Sequence, residues 1–220
     1  MNLKAVVFDL DGTLIDTAPD FVTTVNTLLA EEDAPLLSEE AIRRVVSNGA
    51  RALVRRAFDI DLEHPDFDRL LQRLLTIYSE RLCVDTTPFP GIDQVLKCID
   101  QNNLAWGIVT NKPSQYTNPI VEQLAFNPQP GSVVCPDHVS RSKPDPEPLI
   151  LACQHLGCHP QDVLYVGDHL RDIECGKRAG SATVAAAYGY IDEGDDPQSW
   201  QADHTIHAAA ELVTIIESQL

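Results

Sequence analysis

Ala5-Val6-Val7-Phe8-Asp9-Leu10-Asp11-Gly12-Thr13 joins four consecutive apolar residues to two carboxylates spaced two apart and a glycine turn. An apolar run without alternation is the pattern of a strand covered on both faces, as in a parallel sheet. Carboxylates at the end of such a strand are costly, because ionised groups in a partly dry site repel one another unless a cation or a proton compensates. The pattern points to a cation site in which one carboxylate attacks and another moves a proton. In isolation it reads equally well as an Asp-rich turn that merely ends a strand.

Further runs of this kind predict strands at 106–110, 132–135, 163–167 and 182–186, after the first at 5–8. Helical spacing falls between the later ones, at 91–102, 114–124, 147–156 and 172–179. Strand followed by helix, repeated, predicts an α/β fold: a doubly wound, Rossmann-like parallel sheet. Residues 16–87 break the rhythm with helical patterns alone, so an α-helical cap subdomain is expected there, inserted into a core of 1–15 and 88–220. Thr17 offers a capping hydroxyl, Pro19 suits a first turn, and Asp20 suits the positive end of a helix dipole. Ser38 repeats the cap signal. Phe67, Leu70, Leu71, Leu74, Leu75 and Tyr78 form an apolar stripe over 66–82. Pro88 and Pro90 mark the return to the core.

The chain of 220 residues is long enough to bury such a core. Its 33 acidic against 16 basic residues, a net charge of −17, argue against nucleic acid or an anionic membrane as partner, since both require clustered Lys and Arg. An anionic small substrate would need local positive charge, which a divalent cation and one or two lysines would supply. The six cysteines show no CxxC pair, so reduced thiols are expected and zinc is not. A strand starting near Lys4 leaves no room for a signal peptide, and no apolar run reaches the 18 or more residues of a membrane span. The expectation is a soluble cytoplasmic protein, monomer or homodimer.

Ligands of doubly wound sheets bind outside the carboxyl ends of the strands. Four polar groups fall there: Asp9 with Asp11, Thr110-Asn111-Lys112, Lys143 ahead of Pro144, and Asp168 with Asp172. A carboxylate can attack phosphorus to give an aspartyl-phosphate that water then hydrolyses, and Asp9 is nearest the strand end. Asp11 can protonate the leaving alcohol and later deprotonate water. Mg2+ takes hard oxygens, with Asp168 the main ligand and Asp172 a support for metal-bound water. The Thr110 hydroxyl and the turn's N–H groups, including that of Asn111, can hold a phosphoryl oxygen. Lys143 supplies a point charge to the phosphoryl group. Each group has an ordinary reading, as helix cap, solvated lysine or dipole partner. Their order at consecutive strand ends favours chemistry.

This set of four motifs resembles the haloacid dehalogenase superfamily over essentially the whole chain. The resemblance implies Mg2+ held by Asp9, Asp168 and the backbone carbonyl of Asp11, and a helical cap that closes over the site. Leu14-Ile15-Asp16-Thr17-Ala18-Pro19-Asp20 and Ser47-Asn48-Gly49-Ala50 resemble the phosphoglycolate phosphatases. Trp106 to Pro113, Cys135 to Val139, Lys143 to Pro148, Tyr188 to Ile191 and Trp200 are closer to the N-acetylmuramic acid 6-phosphate phosphatases of cell-wall recycling. Asn48, Gly49 and Arg51 are candidate substrate residues in the cap. Arg51 suits a substrate carboxylate or, equally, an exposed helix surface, whereas Arg43, Arg44, Arg55 and Arg56 read as a solvated face. His169 departs from the small or acidic residue common after the fourth motif's first Asp. Asp11 argues against a dehalogenase, which needs no second acid. A sugar-phosphate mutase shares the core residues, and a non-catalytic phosphate-binding protein is the remaining alternative.

Overall fold

The computed structural model describes residues 3–220. Packing divides the chain into two compact units, one built from the chain up to Ile15 with Pro88–Leu220, the other from Asp16–Thr87. In chain order, β1 (Ala5–Phe8) and the short β2 (Ile15–Asp16) lead into helices α1 (Ala18–Glu31), α2 (Glu39–Arg43), α3 (Gly49–Phe58) and α4 (Phe67–Glu80). The chain returns through β3 (Thr87–Pro88), which pairs with β2 as a two-stranded ribbon. There follow α5 (Ile92–Gln101), β4 (Ala105–Val109), α6 (Ser114–Leu124), β5 (Ser132–Val134), α7 (Glu147–Leu156) and β6 (Val163–Gly167). The chain ends with α8 (Leu170–Ala179), β7 (Ala182–Ala186), β8 (His204–Ile206) and α9 (Glu211–Ser218). Among the described residues no helix is long and apolar enough to cross a membrane. The cysteines are free thiols.

The larger sheet has the order β5-β4-β1-β6-β7-β8 with every pair parallel. β1 lies at its centre with all four residues buried, which is why its sequence shows no alternation. On one face Ala5 and Val7 pack with Val109, Tyr165, Leu149 and Cys175. Phe8 meets Trp106 edge-on at 6.1 Å. The register sets Phe8 beside Ile108 and Val166, so the residues that follow all three strands emerge at one edge. The connection after β1 runs towards β4, and that after β6 runs the other way to β7. β1 and β6 therefore flank the topological switch point where doubly wound sheets bind ligands.

Two expected strands end one residue earlier than their apolar runs, at Val109 and Val134, because Thr110 and Cys135 already turn into loops. β8 and α9 were not expected. β8 is a three-residue edge strand with two partly exposed residues, His204 and Thr205, and so lacks the apolar run that marks the inner strands.

In the helical unit the stripe of α4 is buried as expected at Phe67, Leu70, Leu71, Leu74 and Tyr78, with Ile77 in the place expected for Leu75. The cap at the start of α1 differs from the expected Thr17 hydroxyl: the Asp16 carboxylate accepts from Ala18 N at 3.2 Å. Asp20, fully buried, does more than face a helix dipole. Its carboxylate accepts from Asp85 N at 3.0 Å, Thr86 N at 3.1 Å and Thr86 Oγ1 at 2.6 Å. One side chain in the first turn of α1 thus clamps the segment on which the chain leaves the unit. Arg43 pairs with Asp16 at 2.7 Å, so it is a structural partner rather than part of a solvated face.

Asp20→Ala would strand two backbone donors, and a stability loss of about 2–4 kcal/mol is expected. Asp20→Asn, which keeps one acceptor oxygen, should fall between it and the parent. Urea unfolding followed by circular dichroism measures this, and an unchanged midpoint for Asp20→Ala would refute the clamp.

Candidate active site

Asp9 leaves β1 with its N–H donating to Val166 O at 2.8 Å, which anchors it to the switch-point strand. Its Oδ1 accepts from Leu10 N at 2.7 Å and lies 2.7 Å from Lys143 Nζ. Oδ2 takes no hydrogen bond among the described residues. Burial pushes the Asp9 carboxyl up to about 6, against the pull of the Lys143 ammonium in the other direction.

Lys143 is buried, contrary to the usual fate of lysine. Its three donors meet three acceptors: Asp9 Oδ1 at 2.7 Å, Asp172 Oδ1 at 2.7 Å and Val109 O at 2.9 Å. Burial by itself would lower this ammonium, but the carboxylates of Asp172 and Asp9 outweigh it and hold Lys143 protonated. The lysine is aimed from the backbone, since Asn111 Oδ1 accepts from Lys143 N at 3.1 Å and Asn111 Nδ2 donates to Lys143 O at 3.0 Å. The Asn111 amide is therefore occupied with Lys143, which leaves its backbone N–H for a phosphate.

Asp168 follows β6 and is clamped on both oxygens, by Thr13 Oγ1 at 3.1 Å and Tyr190 N at 2.8 Å. Two glycines make room for it. Gly12 has φ +85°, and a Cβ there would lie 2.1 Å from Asp168 Oδ2. A Cβ on Gly189 would lie 2.3 Å from both Asp168 Cβ and Gly12 O. The loop after β7 thus belongs to the site, a contribution that sequence reasoning missed; its signal was the glycine within Tyr188-Gly189-Tyr190.

Asp172 sits in the first turn of α8, fully buried, with His169 N donating to Oδ2 at 3.1 Å. Its Oδ1 lies 2.7 Å from Lys143 Nζ and accepts from Tyr165 OH at 3.4 Å. His169 caps α8, its Nδ1 accepting from Arg171 N at 3.1 Å, and its ring stacks on Trp200. Burial and then Arg171 hold this imidazole below its usual range.

Thr110 Oγ1 accepts from Lys112 N at 3.1 Å, which leaves the hydroxyl proton to donate. Lys112 then sends its side chain to Asp11, with Nζ 2.9 Å from Oδ1. The sequence places Lys112 at the strand end with Thr110 and Asn111 but assigns it no task; its contact with Asp11, 101 positions away, is set by the fold. Asn48, Gly49 and Arg51 cluster where a short 3-10 turn (Val46–Asn48) runs into α3. They belong to the helical unit, and Arg51 is exposed with its guanidinium 5.9 Å from the centre of the Phe67 ring.

Asp9, Asp168 and Asp172 each offer a carboxylate oxygen, the three lying within 4.8 Å of one another. An all-oxygen donor set suits Mg2+ rather than a soft metal. With Asp11 there are four carboxylates against the ammonium groups of Lys112 and Lys143, a net charge of −2. A phosphate dianion would be repelled from such a pocket unless a divalent cation balanced it. The residues present fit the ion.

The profile of the haloacid dehalogenase-like hydrolases matches residues 6–186. The N-acetylmuramic acid 6-phosphate phosphatase of Pseudomonas aeruginosa is 46% identical over 220 residues, 100% of this chain and 97% of that protein. A phosphoglycolate phosphatase of Xanthomonas campestris is 38% identical over 209 residues, covering 95% and 94%. A crystal structure described as a predicted phosphoglycolate phosphatase from Haemophilus somnus superposes with TM-score 0.86 at 26% identity, over 98% of this chain and 99% of that one. With the motif-bearing strand ends gathered at one edge of the sheet, the chain belongs to the haloacid dehalogenase-like hydrolase family and is one of its phosphatases.

Proposed function

We propose that the chain is a Mg2+-dependent phosphomonoesterase acting on a small metabolite through an aspartyl-phosphate on Asp9. Its leading substrate is N-acetylmuramic acid 6-phosphate, which would place it in cytoplasmic cell-wall recycling, and 2-phosphoglycolate is the alternative. The observation that carries the reading is the pairing of two carboxylates with two lysines. Asp9 rests on Lys143 and Asp11 on Lys112, both at under 3 Å, so that neighbouring acids are held in separate environments.

Asp9 attacks phosphorus, forming one P–O bond as the bond to the leaving oxygen breaks. Asp11, entering this half as the acid, delivers its proton to that oxygen and is left as the carboxylate. In the second half Asp11 takes a proton from water, whose oxygen attacks phosphorus and returns Asp9 as the free carboxylate. Lys143 keeps Asp9 ionised and turned towards the site, while the Thr110 hydroxyl and the Asn111 N–H receive a phosphoryl oxygen. Asp9, Asp168 and the Asp11 carbonyl would hold Mg2+, which supplies neutralisation of the phosphoryl charge when bound.

Both substrates carry a carboxylate besides the phosphate, and α3 supports a role for Arg51 in meeting it. Among the described residues Arg43, Arg44, Arg69, Arg73, Arg81, Arg141 and Arg178 pair with carboxylates within 4.0 Å. Arg51, Arg55 and Arg56 make no ion pair among the described residues, and α3 contains no acid to offer them. In a chain of net charge −17, cations left unpaired on one helix are available to an anionic ligand.

Phosphate release from the two substrates, compared side by side with Mg2+, tests the assignment. A preference of about 100-fold in kcat/KM for N-acetylmuramic acid 6-phosphate is expected, equal to about 2.7 kcal/mol at the transition state. Isomerised sugar phosphate as the main product would instead indicate a mutase. Asp9→Asn should lower turnover by about 10³-fold or more with the melting temperature retained, and retained turnover would remove Asp9 as nucleophile. Arg51→Ala should raise KM at least about 10-fold for the carboxylated substrate while leaving p-nitrophenyl phosphate nearly unaffected. Equal effects on both would remove Arg51 from recognition.

A further inference from the structure

Lys112 is a charged group at the site to which the motifs assign no task. Its side chain is 7% exposed and its Nζ lies 2.9 Å from Asp11 Oδ1. Burying an ammonium costs several kcal/mol unless a specific partner repays it, so the contact is not an idle surface pair. The backbone of Lys112 is also fixed from both sides. Its N–H donates to Thr110 Oγ1 at 3.1 Å, and its carbonyl accepts from Thr117 Oγ1 at 3.0 Å, in the first turn of α6. The same three-residue turn therefore carries the hydroxyl offered to phosphate, the amide that aims Lys143, and the ammonium that holds Asp11.

This division of labour has a geometric consequence. Asp9 and Asp11 are two residues apart on a tight turn, and each is held by a different lysine from a different loop. Lys143 cannot serve both, since its three donors are taken by Asp9, Asp172 and Val109 O.

We propose that Lys112 is a positioning residue for Asp11: it orients the carboxylate that transfers protons and ties it to the turn that receives the phosphoryl group. The inference rests on the reading of Asp11 as the proton-transfer residue. It assigns Lys112 no direct part in binding phosphate. Removing Lys112 should therefore impair the half-reaction that needs Asp11 as a base, and spare the half-reaction in which a good leaving group departs without a proton.

p-Nitrophenyl phosphate separates the halves, because nitrophenolate leaves unprotonated. The rapid burst then reports attack by Asp9, and the steady rate reports hydrolysis of the aspartyl-phosphate. With the full-length protein and Mg2+, Lys112→Met should leave the burst rate within about threefold and slow the steady rate about 10- to 100-fold, with KM little changed. Lys112→Arg, which keeps the charge, should recover most of the loss. In an Asp11→Asn background Lys112→Met should slow the steady rate no further, since a residue acting through Asp11 has nothing left to position. Thermal melting excludes loss of fold, and Lys112→Arg provides the test if Lys112→Met fails to fold. An equal slowing of burst and steady rate, a rise confined to KM, or an additive loss in the double variant would each overturn the proposal. Full activity of Asp11→Asn alone would instead overturn the reading of Asp11 on which it rests, and so is distinguishable.

Discussion

A lysine ammonium buried between two carboxylates is the interaction on which the rest of the site depends. Lys143 reaches Asp9 and Asp172 at 2.7 Å each and closes its coordination on the carbonyl of Val109, the last residue of β4. It thereby ties together the ends of β1 and β4 and the first turn of α8. Such an arrangement is weak as a source of stability, because desolvating three charges offsets much of their attraction. Its return is geometric. It keeps a carboxylate ionised in a place where burial would otherwise favour the protonated form.

The sheet makes that geometry possible. Parallel register places the residues after β1, β4 and β6 at one edge, and the opposed connections after β1 and β6 leave a crevice there. Into it the chain packs more backbone than ordinary side chains would permit. Gly12 and Gly189 enclose Asp168, with Thr13 and Tyr190 supplying a donor to each of its oxygens. Asp168 is thus oriented by two segments far apart in sequence, consistent with a ligand that must not rotate.

Charge is distributed with the same economy. The chain is strongly acidic, yet inside the pocket two lysines stand against four carboxylates, and on α3 three arginines make no ion pair among the described residues. Local positive charge within a negative overall field suits a small anion and disfavours a polyanion, which would meet the long-range repulsion first.

The four motifs, the parallel sheet and the helical character of 16–87 could all be read from the chain itself. Each is written in local pattern: unalternating apolar runs, helical spacing, and polar residues directly after strands. The short edge strand β8 escaped because a half-exposed strand carries little of that pattern. What local pattern cannot express is who meets whom across the fold. That Asn111 aims Lys143 rather than offering its amide to a ligand, that Asp172 faces an ammonium, that Asp20 clamps Asp85 and Thr86, and that Lys112 is buried against Asp11 are facts about residues 29 to 101 positions apart, or held by a turn whose course only packing fixes. The types and order of the groups were determined by the sequence alone. Their pairing was decided by the tertiary structure, because a buried charge takes whichever partner the register of the sheet brings within 3 Å.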